Sequence, residues 1–309
     1  MMSCKEIAAT YKSVLKRFVC VYQIQFDTFL APGIGDYLRG CLCMLQLLET
    51  MNKHCGSSVQ FEMDVRNHPM SKWLSLPEGY DVRSDISYKS LTNFHIDTLE
   101  VKRDEEDIAY RHVLKCIVDR VNKEANEETY AFMCRAEVFA DISESHKAFI
   151  RSRLMPSPTM ELHIQTTMAE LGIVSGEYSV LHIRTRDEYT FPPKPLPASF
   201  LNVVKDSITD PSKKYLLITS HKGVKDALIC FPNIYTKLGS KMCHVGQEVS
   251  PSDEAVRDTM TDFFLLSRAK DIVGISPYGI SGFSNECAKI YNVPYKSIPI
   301  TDPPKQFFM

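Results

Sequence analysis

The sequence predicts an α/β protein of two domains, residues 1–158 and 159–309, each built on a parallel β-sheet flanked by helices. Three observations lead there. A chain of 309 residues exceeds the roughly 100 to 200 that a single core organises, so two domains are the natural division. The first half opens on a strand, a glycine turn and an amphipathic helix in direct succession. The second half alternates short apolar runs with helical periodicities, the order that a parallel sheet with crossover helices requires.

The run 17–24 is dense in β-branched and aromatic residues and reads as the first strand. Pro32-Gly33-Ile34-Gly35-Asp36 then turns the chain into a helix marked by Leu38, Leu42, Leu45, Leu48 and Met51, with Gly56 as its stop. Strand, glycine turn and helix are the opening of a Rossmann-like unit. A second strand is expected at 59–64, irregular chain over 66–107, and helices at 105–124 and 141–154. Pro156-Ser157-Pro158 interrupts helical continuation, so the boundary is placed there, with a connecting helix at 160–171. Strands follow at 178–183, 215–219, 242–245, 272–275 and 296–298, separated by helices at 198–208, 222–230, 253–268 and 281–291.

Composition narrows the function. A formal net charge of −2 supplies no basic field for a polyanion, which excludes a general nucleic-acid binder. The ten cysteines are scattered with no CxxC pair and no zinc-type histidine spacing, so they are expected to be reduced apolar fillers. No Asp-x-Asp pair follows a strand, and no metal is expected. The first apolar stretch, 18–29, is broken by Gln23, Gln25 and Asp27, which fits neither a secretion signal nor a membrane span and predicts a cytoplasmic protein. Neither GxGxxG nor GxxxxGK[ST] occurs, against a dinucleotide or P-loop enzyme.

In open α/β sheets ligands bind beyond the carboxyl ends of the strands, and four such ends carry polar residues. Val180-Leu181-His182-Ile183-Arg184-Thr185-Arg186-Asp187-Glu188 turns from apolar to charged, with His182 and Arg184 sharing one face by alternation. An arginine at the end of a buried strand needs a partner, and both a diphosphate and Asp187 can be that partner. Gly33 and Gly35 fit either an ordinary tight turn or a close backbone approach to a ligand before a helix N-terminus that favours anions. Thr219, Ser220 and His221 end another strand, where Thr219 or Ser220 can equally cap the next helix. The run 262–282 carries Ser276, Tyr278, Gly279 and Ser281, a phosphate cradle or a capped helix start.

In order and spacing these segments resemble the motifs of the fucosyltransferase superfamily that includes the α1,2-, α1,6- and protein O-fucosyltransferases. Gly33-Ile34-Gly35-Asp36 with Arg39-Gly40 is similar to its glycine motif, His182-x-Arg184-x-x-Asp187 to its HxRxxD signature, and 262–281 to its last motif, a DxxLLS helix with a strand and a serine-rich turn. The resemblance implies a GT-B architecture with two Rossmann-like domains facing across a cleft, no divalent metal, and inverting transfer of L-fucose from GDP-fucose to a hydroxyl of an acceptor glycan. It implies that Arg184 neutralises the departing β-phosphate, that His182 lies near the nucleotide and Ser276 with Ser281 near the phosphates, and that Gly33 to Asp36 face the sugar. The implied donor set is Gly33, Gly35, His182, Arg184, Arg186, Thr219, Ser220, His221, Ser276, Tyr278, Gly279 and Ser281. Asp36, Asp187 and Glu188 are candidates for the proton acceptor, Asp36 being equally a helix N-cap.

Two departures stand out. Thr185 separates Arg184 from Arg186, where the family often has adjacent arginines. Ser220-His221 replaces the acid that commonly follows threonine and reads guanine. The same fold with another donor, such as UDP-xylose, is therefore the alternative, with a catalytically decayed glycan-binding protein as the reading from a different class. A chain without a membrane anchor suits a bacterial or large-DNA-virus member.

Overall fold

The computed structural model describes residues 2–11, 17–22, 25–26, 29–30, 32–55, 58–76, 92–94, 106–123, 129–134, 141–185, 195–208, 210–237, 239 and 250–300. The chain divides into two compact units, one of residues 1–71 and 75–155, the other of 72–74 and 156–309.

In the first unit a short helix α1 (Cys4–Ala9) precedes strand β1 (Arg17–Val21), a small antiparallel pair β2 (Gln25–Phe26) and β3 (Phe29–Leu30), helix α2 (Ile34–Cys55) and strand β4 (Gln60–Asp64). After β5 (Leu74–Ser75) come β6 (Thr92–Phe94), α3 (Glu106–Lys123), β7 (Thr129–Cys134), α4 (Glu144–Arg153) and β8 (Met155–Pro156). The sheet has the order β4-β1-β7-β6, all parallel. Strands β6 and β7 were not expected from the sequence. Chain read as irregular contains β6, and β7 buries Tyr130, Ala131 and Phe132 beside β1, with Phe18 lying 5.7 Å from Tyr130 and 5.1 Å from Phe132 between ring centres. Leu38, Leu42, Leu48 and Met51 are buried as their spacing predicts. Helix α2 starts one residue after Gly33, so Gly35 and Asp36 belong to its first turn rather than to a turn before it.

The second unit opens with α5 (Pro158–Glu170), where Ser157 accepts the Met160 N–H at 3.3 Å and proline occupies the first turn. The Pro-Ser-Pro break is thus itself a helix start, since a first-turn proline loses no hydrogen bond. Strands β9 (Ser179–Ile183), β10 (Tyr215–Thr219), β11 (Ile234–Tyr235), β12 (Asp271–Ser276) and β13 (Tyr295–Pro299) alternate with α6 (Ala198–Asp206), α7 (Lys222–Leu228), α8 (Asp253–Ser267) and α9 (Gly282–Tyr291). Their order is β11-β10-β9-β12-β13, all parallel. The two-residue β11 was not expected, and the strand expected at 242–245 lies outside the described residues. β9 and β10 are buried throughout, as central strands covered on both faces must be. Leu181, Ile183, Leu217 and Ile275 form one core with Phe200 and Val204 of α6 and Val224 and Leu228 of α7. His182 points the other way, toward α9.

Candidate active site

Reading the second sheet from β9 outward, the chain runs through β10 to β11 on one side and through β12 to β13 on the other. The reversal falls between β9 and β12, the position at whose carboxyl ends open α/β sheets hold their ligands. Arg184 stands at that point, half-buried, its N–H bonded to the Ile275 carbonyl of β12 at 3.0 Å. Thr185 beside it is buried, while Arg186, Asp187 and Glu188 lie outside the described residues.

On the β12 side, Ser276 is fully buried and its hydroxyl accepts the Tyr278 N–H at 3.1 Å, while its carbonyl accepts that of Gly279, also at 3.1 Å. Gly279 has φ 76°, a conformation that a Cβ would strain. The turn leaves Tyr278 half exposed and delivers the chain to Ser281, the N-cap of α9. Ser281 takes the cap position without making a side-chain cap bond. A helix start of this kind favours an anion in general.

His182 is buried and its Nδ1 lies 2.8 Å from Ser284 Oγ on α9. Burial, with the nearby Arg184 charge, holds the imidazole neutral and lowers its pKa to about 3. An unfolded chain releases that constraint, so below the ordinary histidine range the unfolded state binds a proton that the folded state refuses. Stability is then lost as pH falls from about 6.5 toward 3. Relative to wild type, His182→Asn is expected to lack that part of the acid loss, as measured by denaturant unfolding at a series of pH values.

At the end of β10, neither Thr219 nor Ser220 caps α7, contrary to one of the sequence expectations. The cap residue is His221, which makes no side-chain cap bond, while Thr219 Oγ1 accepts the His221 N–H at 3.2 Å. Thr219 and His221 are buried and Ser220 is half-buried.

A charged network behind this edge escaped the sequence reading. Asp262 of α8 is buried and pairs with Lys237 at 2.5 Å; Lys237 also donates to the Asp258 carbonyl at 3.2 Å, and Lys225 donates to the Lys237 carbonyl at 3.2 Å. Burial raises the Asp262 pKa against the opposing pull of Lys237 and Lys225, and burial likewise lowers that of Lys225. In sequence, Lys225, Lys237 and Asp262 are too far apart to be seen as partners.

The first unit places its glycine segment at an equivalent point. Its sheet reverses between β1 and β7, and Tyr37 Oη donates to the Cys20 carbonyl near the end of β1 at 2.9 Å. Tyr22, just beyond β1, donates to the Pro32 carbonyl at 2.9 Å and stacks between Tyr37 and His68, with ring centres 4.3 and 4.1 Å away. Asp36 is the third residue of α2 and not its N-cap; its carboxylate pairs with Arg39 at 2.9 Å. Asp64, buried at the end of β4, holds Arg66 through two bonds of 2.9 Å. Asp64, Arg66 and His68 were missed, although a polar residue ending an apolar strand was the signal used for Arg184.

Among the described residues, no group of three or more His, Cys, Asp or Glu is placed to hold a metal, and no helix is long and apolar enough to cross a membrane. No known family's sequence profile and no curated protein matches the chain. Solved structures do. The fucosyltransferase NodZ from Bradyrhizobium superposes with a TM-score of 0.53 at 14% identity, over 94% of this chain and 97% of that one. NodZ α1,6-fucosyltransferase soaked with GDP-fucose gives 0.52 at 13% identity over the same shares. A variant of Arabidopsis thaliana FUT1 in complex with GDP gives 0.51 at 11% identity, over 94% of this chain and 72% of that one. At such identities the likeness is one of fold, and the chain has the GT-B fold of these enzymes, built from two Rossmann-like units.

Proposed function

We propose that this protein is an inverting, metal-independent glycosyltransferase that moves L-fucose from GDP-fucose to a hydroxyl of an acceptor glycan. The observation that carries the proposal is the switch point of the second sheet, where Arg184 leaves one strand and the serine-rich turn with the α9 N-terminus leaves its neighbour. A guanidinium and the backbone N–H groups of a helix start, at the ends of two neighbouring strands, suit a diphosphate. The structures of the same fold that hold GDP or were soaked with GDP-fucose support a nucleotide sugar as the donor.

In this reading the acceptor oxygen attacks C1 of the sugar from the face opposite the phosphate. The C1–O bond breaks with its electron pair going to the β-phosphate, and Arg184 meets the charge that develops there. Ser276 and Ser281 order the phosphate side, His182 contributes as a neutral imidazole, and Tyr278 with Gly279 shapes the turn. Asp36, half-buried on the first turn of α2, is the candidate to take the acceptor proton, with Asp187 and Glu188 as the other acids. A reducing, cytoplasmic setting with the scattered cysteines as apolar fillers belongs to the same reading.

A second donor reading rests on Thr219-Ser220-His221, where no acid stands at the end of β10. A UDP-sugar, such as UDP-xylose, then replaces GDP-fucose at the same switch point. Thermal shift assays with GDP, UDP and their sugars distinguish the two, because ligand at a hundred times its Kd stabilises by about 2.7 kcal/mol. GDP and GDP-fucose are expected to raise the Tm and UDP to leave it unchanged, and donor hydrolysis is expected to persist in EDTA. Stabilisation by UDP alone replaces the donor, loss of turnover in EDTA restored by Mn²⁺ removes metal independence, and binding without any turnover supports a glycan-binding protein.

A further inference from the structure

Strands of a parallel sheet are ordinarily buried on both faces by the helices that connect them. In the second sheet the face bearing Leu181 and Leu217 is closed by α6 and α7 over β9 and β10, and Ile275 of β12 joins that core. Val273 of β12, Ile298 and Ile300 beside β13, and Val203 of α6 lie at its margin and stay half-buried. Helix α9, which links β12 to β13, is on the opposite face, where Ser284 meets His182. Apolar side chains next to the edge strand are thus left incompletely covered.

They border a groove of about 550 Å³. Val203, Val273 and Ile298 give it apolar walls, and Lys213, Asp271 and Lys296 stand in its lining. Register places Val273 opposite Lys296 and Ile275 opposite Ile298, so the groove follows β13. Lys213 and Asp271, paired at 3.4 Å, stand at the amino ends of β10 and β12, whereas Arg184 and Ser276 stand at the carboxyl ends of β9 and β12. The groove is therefore separate from the switch point.

Beyond Ile300 the sequence continues Thr301-Asp302-Pro303-Pro304-Lys305-Gln306-Phe307-Phe308-Met309, which lies outside the described residues. Asp-Pro favours the start of a turn, and 307–309 form an apolar run. After a turn at 301–304, five residues of extended chain cover about 16 Å, enough to return Phe307 to the level of Ile298 and Met309 to that of Lys296. We propose that residues 301–309 fold back and dock in this groove, Phe307 and its apolar neighbours covering Val203, Val273 and Ile298. Tethering favours this occupant, because a segment joined to β13 by so short a linker meets the groove at a roughly millimolar effective concentration. A second copy fits less well, since Lys296 and Pro299 on the edge strand oppose pairing with another chain. The inference does not depend on the donor or on the reaction.

The test is a double-mutant cycle on the full chain, read by thermal unfolding. Phe307→Ala with Phe308→Ala is expected to lower the Tm by roughly 4 to 10 °C, the scale for two apolar side chains returned to water in a domain of this size. Val203→Ala should cost less by itself and almost nothing once the two phenylalanines are gone, because its partner has left. Lys305→Ala with Gln306→Ala, in the same segment, should move the Tm by no more than about 2 °C. Hydrogen exchange of the wild type gives a readout that needs no variant: the amides of 307–309 should exchange more slowly than those of an unstructured peptide. If the phenylalanine variant does not fold, that exchange carries the test. An unchanged Tm, a Val203→Ala cost that adds in full to that of the phenylalanines, or unprotected amides at 307–309 overturns the docking. A dimer, seen by light scattering, that the phenylalanine substitutions dissolve places the segment in a second copy's groove and overturns docking within one chain.

Discussion

Arg184→Ala is expected to abolish measurable sugar transfer while the protein still folds. As the glycosidic bond breaks, the β-phosphate gains negative charge that a fixed guanidinium can meet with two parallel hydrogen bonds. Removing one preorganised donor of this kind costs on the order of 10² to 10³ in turnover, about 3 to 4 kcal/mol. Arg184→Lys is expected to recover little, because an ammonium offers one point charge where the guanidinium offers a planar fork. The backbone of Arg184 bonds to Ile275 whatever its side chain, so the strand end survives either substitution. Turnover and Tm measured on the same preparations separate the roles. A stable, inactive Arg184→Ala supports catalysis, a strongly lowered Tm identifies a structural ion pair, and near-normal transfer removes Arg184 from the site.

Lys237→Met should produce the largest loss of stability. It leaves Asp262 buried without its closest cation and strips a donor from the Asp258 carbonyl. Breaking one side of a buried pair costs about 3 to 5 kcal/mol, whereas replacing both partners with apolar groups is often neutral. The Tm is expected to fall by roughly 6 to 20 °C on the usual scale for domains of this size. Lys237→Met combined with Asp262→Leu should recover most of that loss.

The pH dependence has a definite sign. The Asp262 pKa is already raised in the folded state by burial, and removing Lys237 raises it further. A raised acid contributes its stability below its unfolded pKa and loses it as pH climbs through its folded one. Lys237→Met should thus lose progressively more stability, relative to wild type, as pH rises above the ordinary aspartate range. Equal loss at every pH, measured by denaturant melts, would show that Asp262 does not titrate with the fold.

The amino-acid sequence by itself determined the alternation of elements in the second unit, because strands buried on both faces must be short apolar runs and their helices must keep a 3.6-residue period. It also marked which strand ends turn polar, since charge at the end of an apolar run is visible locally, as at His182 and Arg184. The glycine segment was legible for the same reason, though not the exact start of α2, which places Asp36 inside the helix.

Only the tertiary structure decided the rest. Strands β6 and β7 became strands by pairing, β7 with β1 and β6 with β7, a long-range hydrogen-bonded arrangement that a local run of residues does not announce. The order of the second sheet, which puts its switch point between β9 and β12, arises from how the crossovers fold back, and no single segment encodes it. Lys237 with Asp262, and Ser284 with His182, are pairs from separate elements, each unremarkable in its own stretch of chain. Burial is what binds them, because a charge or an imidazole taken out of water must find its partner in whatever the fold brings near.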